Sequence, residues 1–339
     1  MIANDGNIMG HAIPFDGVRD LMHDGKPDAW KGQLPAEVIA ERYDIIVDFA
    51  KHGIQPGDKL YFVNAMEHSD GRGSKRTVPL KDIFSGAYNP VLLNGHWTNG
   101  DPGVGKFLEL RVHAYAGTDL SLDPVDYEPG KLAMIPLPLD RVNKCITNLD
   151  GTCTSNGNLL TARHRTHEFV RSQGGHDTPW QIKVNGGAAN PADGHRISAI
   201  FNGDPEVITC TGGRGWTHPV HMHFEEGIYL SRGGKLLPDW ELYARKDMYR
   251  IGPEDESREI EAVYRARDIL GNYPLHCHNT THEDYAMLMR FDNQPLGFLL
   301  ADMPLPTFDG VYFEPSFAVE NGTAETGDGF GPQNGVPTQ

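Results

Sequence analysis

Apolar and polar positions alternate in short runs along most of the chain. The segments ERYDIIVDF (41–49), KLYFVNAM (59–66), FLELRVHAY (107–115), RISAIFNG (196–203), EGIYLSR (226–232) and AMLMRFD (286–292) all carry this pattern. It is what a strand with one buried face requires. Turn-forming stretches such as QPGD, NGHWTNGDPG and SRGG separate the runs. Helical periodicity is scarce, and only short helices are expected, near residues 238–244 or 266–271. The pattern therefore predicts an all-β chain of two β-sandwiches. Residues 118–160 are rich in Asp, Pro, Gly and Asn and read as a linker or loop. They divide a first domain (1–117) from a second (161–312). The segment 313–339 is small and polar and reads as a disordered tail.

Composition narrows the function classes. A length of 339 residues suits two domains. The formal charge of −16 argues against a nucleic-acid partner, which calls for a basic footprint, and favours attraction of cations. No stretch approaches the ~18 apolar residues needed to span a membrane. The opening MIANDGNIMGHAIPF lacks the basic and apolar regions of a signal peptide. Cys145 and Cys153 lie in the loop CITNLDGTC, where a disulfide would close a short ring and point to an oxidising compartment; two free thiols are the alternative. Cys210 follows an apolar run and reads as a buried, inert thiol.

The chemistry concentrates in two motifs. One is HPVHMH, with His218, His221 and His223; the other is HCHNTTHEDYAM, with His276, Cys277, His278, His282 and Met287. Six of the 16 histidines fall in them. Side chains alternate along an extended segment, so His276 and His278 point one way and Cys277 the other. One strand can thus serve two metal sites, on the order of 10 Å apart by strand dimensions. His282 needs a turn to return to the metal held by Cys277, and Met287 can approach as a weak axial ligand. A thiolate, two imidazoles and a distant thioether form the ligand set of a blue-copper electron-transfer site. Pro219 marks a bend that separates His218 from the pair His221 and His223. His218 can therefore complete the thiolate site while the pair serves the second.

HxxHxH followed by HCHxxxHxxxxM resembles the C-terminal signature of the multicopper oxidases, and HEDY is very similar to the bacterial laccase and bilirubin-oxidase branch. AERYDIIVDF resembles the middle cupredoxin domain of that family, and NDGNIM the turn before it. The resemblance implies two cupredoxin-like Greek-key domains, the first incomplete. It implies that His218, Cys277 and His282 ligate type 1 copper with Met287 axial, that His221 binds type 2 copper, and that His223, His276 and His278 bind the type 3 pair. Glu283 would feed protons to the oxygen-reducing centre; a turn carboxylate is the plainer reading. Family members carry two further HxH pairs, whereas this chain has HxH only at 221–223 and 276–278. A missing N-terminal cupredoxin domain or a partner chain is then expected to complete the trinuclear centre. The implied activity is oxidation of a reducing substrate, a phenol or a metal ion such as Mn(II), with oxygen as acceptor, in a periplasmic or secreted setting. A non-enzymatic cupredoxin that carries electrons or copper is the alternative, and a zinc site fits the spacing poorly.

Other candidates are weaker. His164 and His167 in HRTH face opposite ways on a strand. The scattered histidines, from His11 to His195, read as surface or hydrogen-bonded groups. Glu225 or Glu226 could orient a ligating histidine or help hold Mn(II). Trp216 could line the type 1 pocket.

Overall fold

A computed structural model describes the chain apart from residues 69–71, 172–179, 185–186, 189–195, 202, 214, 224, 253–258, 268–269, 286, 295–304, 307–311 and 314–339. The region read as a disordered tail thus lies almost wholly outside the described residues.

The C-terminal half is a two-sheet sandwich. One sheet has six strands, in the order Gly187–Ala188, Trp180–Val184, Arg163–Arg171, Pro205–Gly212, Ile260–Arg265 and Gly227–Arg232. The other has five, in the order Arg196–Phe201, Leu288–Gln294, Gly271–Cys277, His218–Met222 and Met248–Ile251. Non-sequential neighbours and two parallel pairings, Arg163–Arg171 with Pro205–Gly212 and Arg196–Phe201 with Leu288–Gln294, mark long connections between the sheets. Phe169, Ile182 and Ile208 from the first sheet meet Val220, Met222, Leu275 and Phe291 from the second in one buried cluster. Burial of such a side chain contributes about 1.5–3 kcal/mol, so this interface holds the domain together.

The N-terminal part is also β, but built of two- and three-stranded pieces. Lys59–Asn64 pairs with Gly105–Arg111, while the run at 41–49 forms a strand only at Tyr43–Asp44. The stretch read as a linker holds a small sheet, Leu139–Asp140, Cys145–Thr147 and Cys153–Asn158, joined by a Cys145–Cys153 disulfide. Ile146 and Leu159 pack there on Val207, Ile228 and Val263, so apolar side chains fix the segment to the sandwich. A short helix forms at Asp239–Leu242. The other expected helix, at 266–271, lies partly outside the described residues, and the Gly271–Cys277 strand begins at its last position.

Residues 1–45 lie against the sandwich. Met9, Ile13, Phe15 and Leu21 share a core with Trp240 and Ala244. Lys246, with only 2% of its side chain exposed, is 3.2 Å from Asp5 and 2.6 Å from Glu41. Arg42 donates to both carboxylate oxygens of Asp247 at 2.8 and 2.9 Å, and the Met248 N–H donates to Asp5.

Candidate metal centre

Strand register places the two histidine motifs side by side. Val220 pairs with Cys277 and His221 with His276. Alternation then turns Val220, Met222, Leu275 and Cys277 into the sandwich core, and His221 and His276 to the opposite face. Because the strands are antiparallel, the start of His218–Met222 lies beside the end of Gly271–Cys277.

The return of His282 has a local cause. The Asn279 side chain accepts from the N–H groups of Thr281 and His282 and caps a single helical turn, Thr280–Asp284. Past it, Met287 N–H donates to His282 O and Cys277 N–H donates to Met287 O. His282 is thereby folded back onto Cys277. Cys277 Sγ lies 3.5 Å from His218 Nδ1 and 3.6 Å from His282 Nδ1, and the two nitrogens are 3.2 Å apart. Cys277, His218 and Met287 have no exposed surface, and His282 is 3% exposed. Trp180 stacks on His282 with ring centroids 3.8 Å apart.

Burial sets the protonation states. It pushes His218 down to about 3 and His282 to about 4, helped by the neighbouring imidazole and by Arg171 respectively. It pushes the Cys277 thiol up to about 12. The metal-free centre thus holds two neutral imidazoles and a protonated thiol around one buried point. Three soft or borderline donors converging in an apolar core fit a bound copper ion. Above about pH 4 only the thiol proton must leave when a metal binds. Copper affinity at this site is therefore expected to rise about tenfold per pH unit between pH 5 and 8, with one proton released. Competition with a chelator of known affinity measures this; a flat profile would contradict it.

On the opposite face, His221, His223 and His276 bring ligand nitrogens together. His223 Nε2 lies 3.2 Å from His276 Nε2. His221 Nδ1 bonds the Asp247 carbonyl at 3.1 Å, which leaves Nε2 available as a ligand. His278 is not among the three whose ligand nitrogens converge, although its ring lies beside them, with its centroid 5.2 Å from that of His276 and 5.9 Å from that of His221. Burial lowers His223 and His276 to about 4 and also lowers His221. Glu283 Oε1 sits 3.1 Å from His276 Nδ1, outside hydrogen-bond geometry, and burial raises its carboxyl above the usual range.

Several readings change. Glu225 accepts from the Arg267 backbone and guanidinium, and Glu226 pairs with Arg267 and Arg245. Neither is bonded to a ligating histidine, and arginine charges already compensate both, which removes the basis for an Mn(II) role. His164 is exposed and His167 buried, so they do not converge. His11 and His23 are hydrogen-bonded surface groups, and His176 and His195 lie outside the described residues. Trp180 and Asp247 are additions: the first lines the thiolate site, and the second holds His221 through a backbone carbonyl that any residue type would supply.

Residues 161–297 match the multicopper oxidase family. A bilirubin oxidase from Albifimbria verrucaria is 34% identical over 84 residues, which is 24% of this chain and 14% of that protein. A laccase from Haloferax volcanii is 32% identical over 88 residues, 25% of this chain and 14% of that one. Among solved structures, a variant of the McoA multicopper oxidase from the hyperthermophile Aquifex aeolicus superposes with a TM-score of 0.50 at 17% identity, covering 86% of this chain and 49% of that one. That likeness is one of fold, and the chain spans about half the length of that structure.

Proposed function

Through residues 161–297 the chain belongs to the multicopper oxidase family, and from that premise we propose that it forms the copper-binding part of an oxidase that takes electrons from a reducing substrate and passes them to oxygen. The observation that carries this is the buried convergence of His218, Cys277 and His282. In this reading these three residues would hold type 1 copper, and the buried Met287 thioether would add a weak further donor. His221 serves a type 2 site, and His223, His276 and His278 serve a type 3 pair. Bound copper supplies a one-electron acceptor at the thiolate site and, where the second cluster is completed, the centre at which oxygen is reduced to water.

The chain's own residues prepare this chemistry. The apolar core around Cys277 excludes water and holds the imidazoles neutral. Residues 276–278 join the two clusters through consecutive backbone bonds. Glu283 places a carboxyl beside His276, where it would relay protons to the second cluster. The whole cluster needs more imidazoles than the four offered here, so an N-terminal cupredoxin domain or a partner chain supplies the rest. A periplasmic or secreted setting accords with the Cys145–Cys153 disulfide, and reducing substrates of the phenolic class accord with the laccase similarity. The same shortfall of imidazoles supports a second reading, an electron-carrying cupredoxin, for the chain by itself.

Metal analysis with oxygen uptake tests the proposal. The isolated chain is expected to hold about one tightly bound copper and to reduce oxygen poorly, since an incomplete ligand shell binds weakly. Addition of a chain with two HxH pairs should restore uptake. Glu283→Gln should then slow uptake by about 10²-fold or more without changing the colour of the thiolate site. Four coppers and full turnover from the isolated chain would refute the incomplete cluster. No copper binding at all would refute the whole reading.

A further inference from the structure

Residues 46–133 contribute to none of the three buried apolar clusters found among the described residues. Val78, Val104 and Val112 are the buried apolar side chains there. The segment is built of two-stranded sheets and short helices. A two-stranded sheet is marginal by itself in water and needs further strands or a packed face.

The pairing of Lys59–Asn64 with Gly105–Arg111 shows where such a complement belongs. Leu108 lies opposite Phe62 and Leu110 opposite Leu60, so alternation puts these four apolar side chains on one face. Phe107, at the register shift between Lys106 and Leu108, lies beside Phe62 with ring centroids 6.1 Å apart. Phe107 is 69% exposed and Leu108 48%, and Leu60, Phe62 and Leu110 are half-buried. The opposite face is satisfied within the chain. There Tyr61 donates to Glu109 at 2.8 Å, Glu109 pairs with Arg111 and Lys59, and Phe84 of the helix Leu80–Ser85 packs on Tyr61. A sheet with one face on water normally turns polar residues to it; here that face is aliphatic and aromatic. Each strand also keeps one edge unpaired among the described residues, and a free edge accepts a further strand.

Three properties of the chain identify the occupant. The chain spans 49% of the superposed McoA variant, so about as much polypeptide again completes that architecture. The second histidine cluster lacks imidazoles. The apolar face and free edges suit another sheet, since sandwiches form by packing such faces together. We propose that Leu60, Phe62, Phe107, Leu108 and Leu110 are the docking face for the polypeptide that brings the missing imidazoles on two HxH pairs. That polypeptide contributes a sheet which closes a β-sandwich over this face. The proposal rests on the oxidase reading above for the identity of the partner, and it assigns the surface the partner covers. The boundary between the two polypeptides then runs through a shared core. Order in residues 59–111 depends on the partner, whereas the C-terminal sandwich, with a core of its own, does not.

Hydrogen exchange on the full, monomeric chain reads the last point. Amides in 59–64 and 105–111 should exchange about 100-fold faster than those in 205–212 and 260–265. Equally slow exchange would show that the chain already covers the face itself, and would overturn the proposal. The partner is read by photo-crosslinking in the cells that make the chain, from a benzophenone side chain placed at position 108 or, as a control, at position 149, where Leu149 is 99% exposed. The probe at 108 should capture a polypeptide carrying two HxH pairs, and the control should not. Adding Leu60→Asp and Leu110→Asp should lower the yield about tenfold, because charge is costly to bury on an apolar face. Exchange in 205–212 and 260–265 and the colour of the copper-loaded chain should stay as they were, which separates lost docking from lost folding. Crosslinks to a second copy, to the chain's own residues 295–339, to a protein without HxH pairs, or to nothing overturn the docking face. A coloured chain without the crosslink overturns the docking face alone. A colourless copper-loaded chain that still captures the HxH partner overturns the oxidase reading alone.

Discussion

Cys277→Ser leaves a copper-loaded chain without its intense visible absorption. The colour expected of this site comes from charge transfer between a thiolate and copper, and a hydroxyl oxygen cannot supply the donor orbital. The side chain is fully buried and its sulfur is 3.5 and 3.6 Å from the two imidazole nitrogens, so no other sulfur can take its place without a rearrangement of the core. Serine is close in size. The fold should therefore survive with a loss of about 1–3 kcal/mol for the buried hydroxyl, and circular dichroism checks that it does. Cys210→Ser is the matched control: Cys210 is also buried, at 1% exposure, and the resemblance gives it no copper. That variant should keep the full colour. A coloured Cys277→Ser protein would remove Cys277 from the ligand set.

Lys246→Met should destabilise the chain by about 3–5 kcal/mol, the cost of leaving buried charges without their partner. Asp5 and Glu41 have 0% and 6% of their side chains exposed. Burial raises the Asp5 carboxyl above its usual range even with Lys246 beside it, and the cation left to it without Lys246 is the more exposed and more distant Arg42, at 3.7 Å. Against a typical total of 5–15 kcal/mol, this loss should shift a urea midpoint far to lower concentration. Adding Asp5→Asn and Glu41→Gln to Lys246→Met should recover much of the loss, because neutral amides are cheaper to bury than unpaired carboxylates. A loss below about 1 kcal/mol would show that water reaches the cluster.

The parts of the site legible in the sequence depended on local rules. Strand alternation assigned Cys277 and His276 to opposite faces, and the structure turns them that way. The Asn279 cap explains how His282 closes on Cys277, although only the need for a turn was evident from the spacing. The bend expected at Pro219 is not what separates His218 from His221 and His223: His218–Met222 is one continuous strand paired through Pro219, and the odd spacing of 218 from 221 and 223 is what puts them on opposite faces. Contacts across long sequence separations were not legible. Glu225 and Glu226 read as candidate partners of a ligating histidine or of Mn(II) because the arginines that pair with them, Arg245 and Arg267, come from distant connecting segments. The apolar residues Ile146 and Leu159 lay within a stretch whose polar composition suggested a linker, yet they anchor it to the sandwich. The ERYDIIVDF run has strand periodicity but pairs only at Tyr43–Asp44 with Ala3–Asn4, because periodicity reports a potential strand and hydrogen bonding needs a neighbour.

Three successive residues, Lys246, Asp247 and Met248, grip the first forty-odd residues of the chain, and the middle one also fixes the ring of His221 through its carbonyl. A backbone displacement at residue 247 would act as a lever on that imidazole: tilting the carbonyl would rotate the ring and could release the tautomer that keeps Nε2 unprotonated. Strain applied to the N-terminal part, whether by truncation, proteolysis or a docking chain, would thus reach the histidine face mechanically, over a single residue, without any change in the histidines themselves.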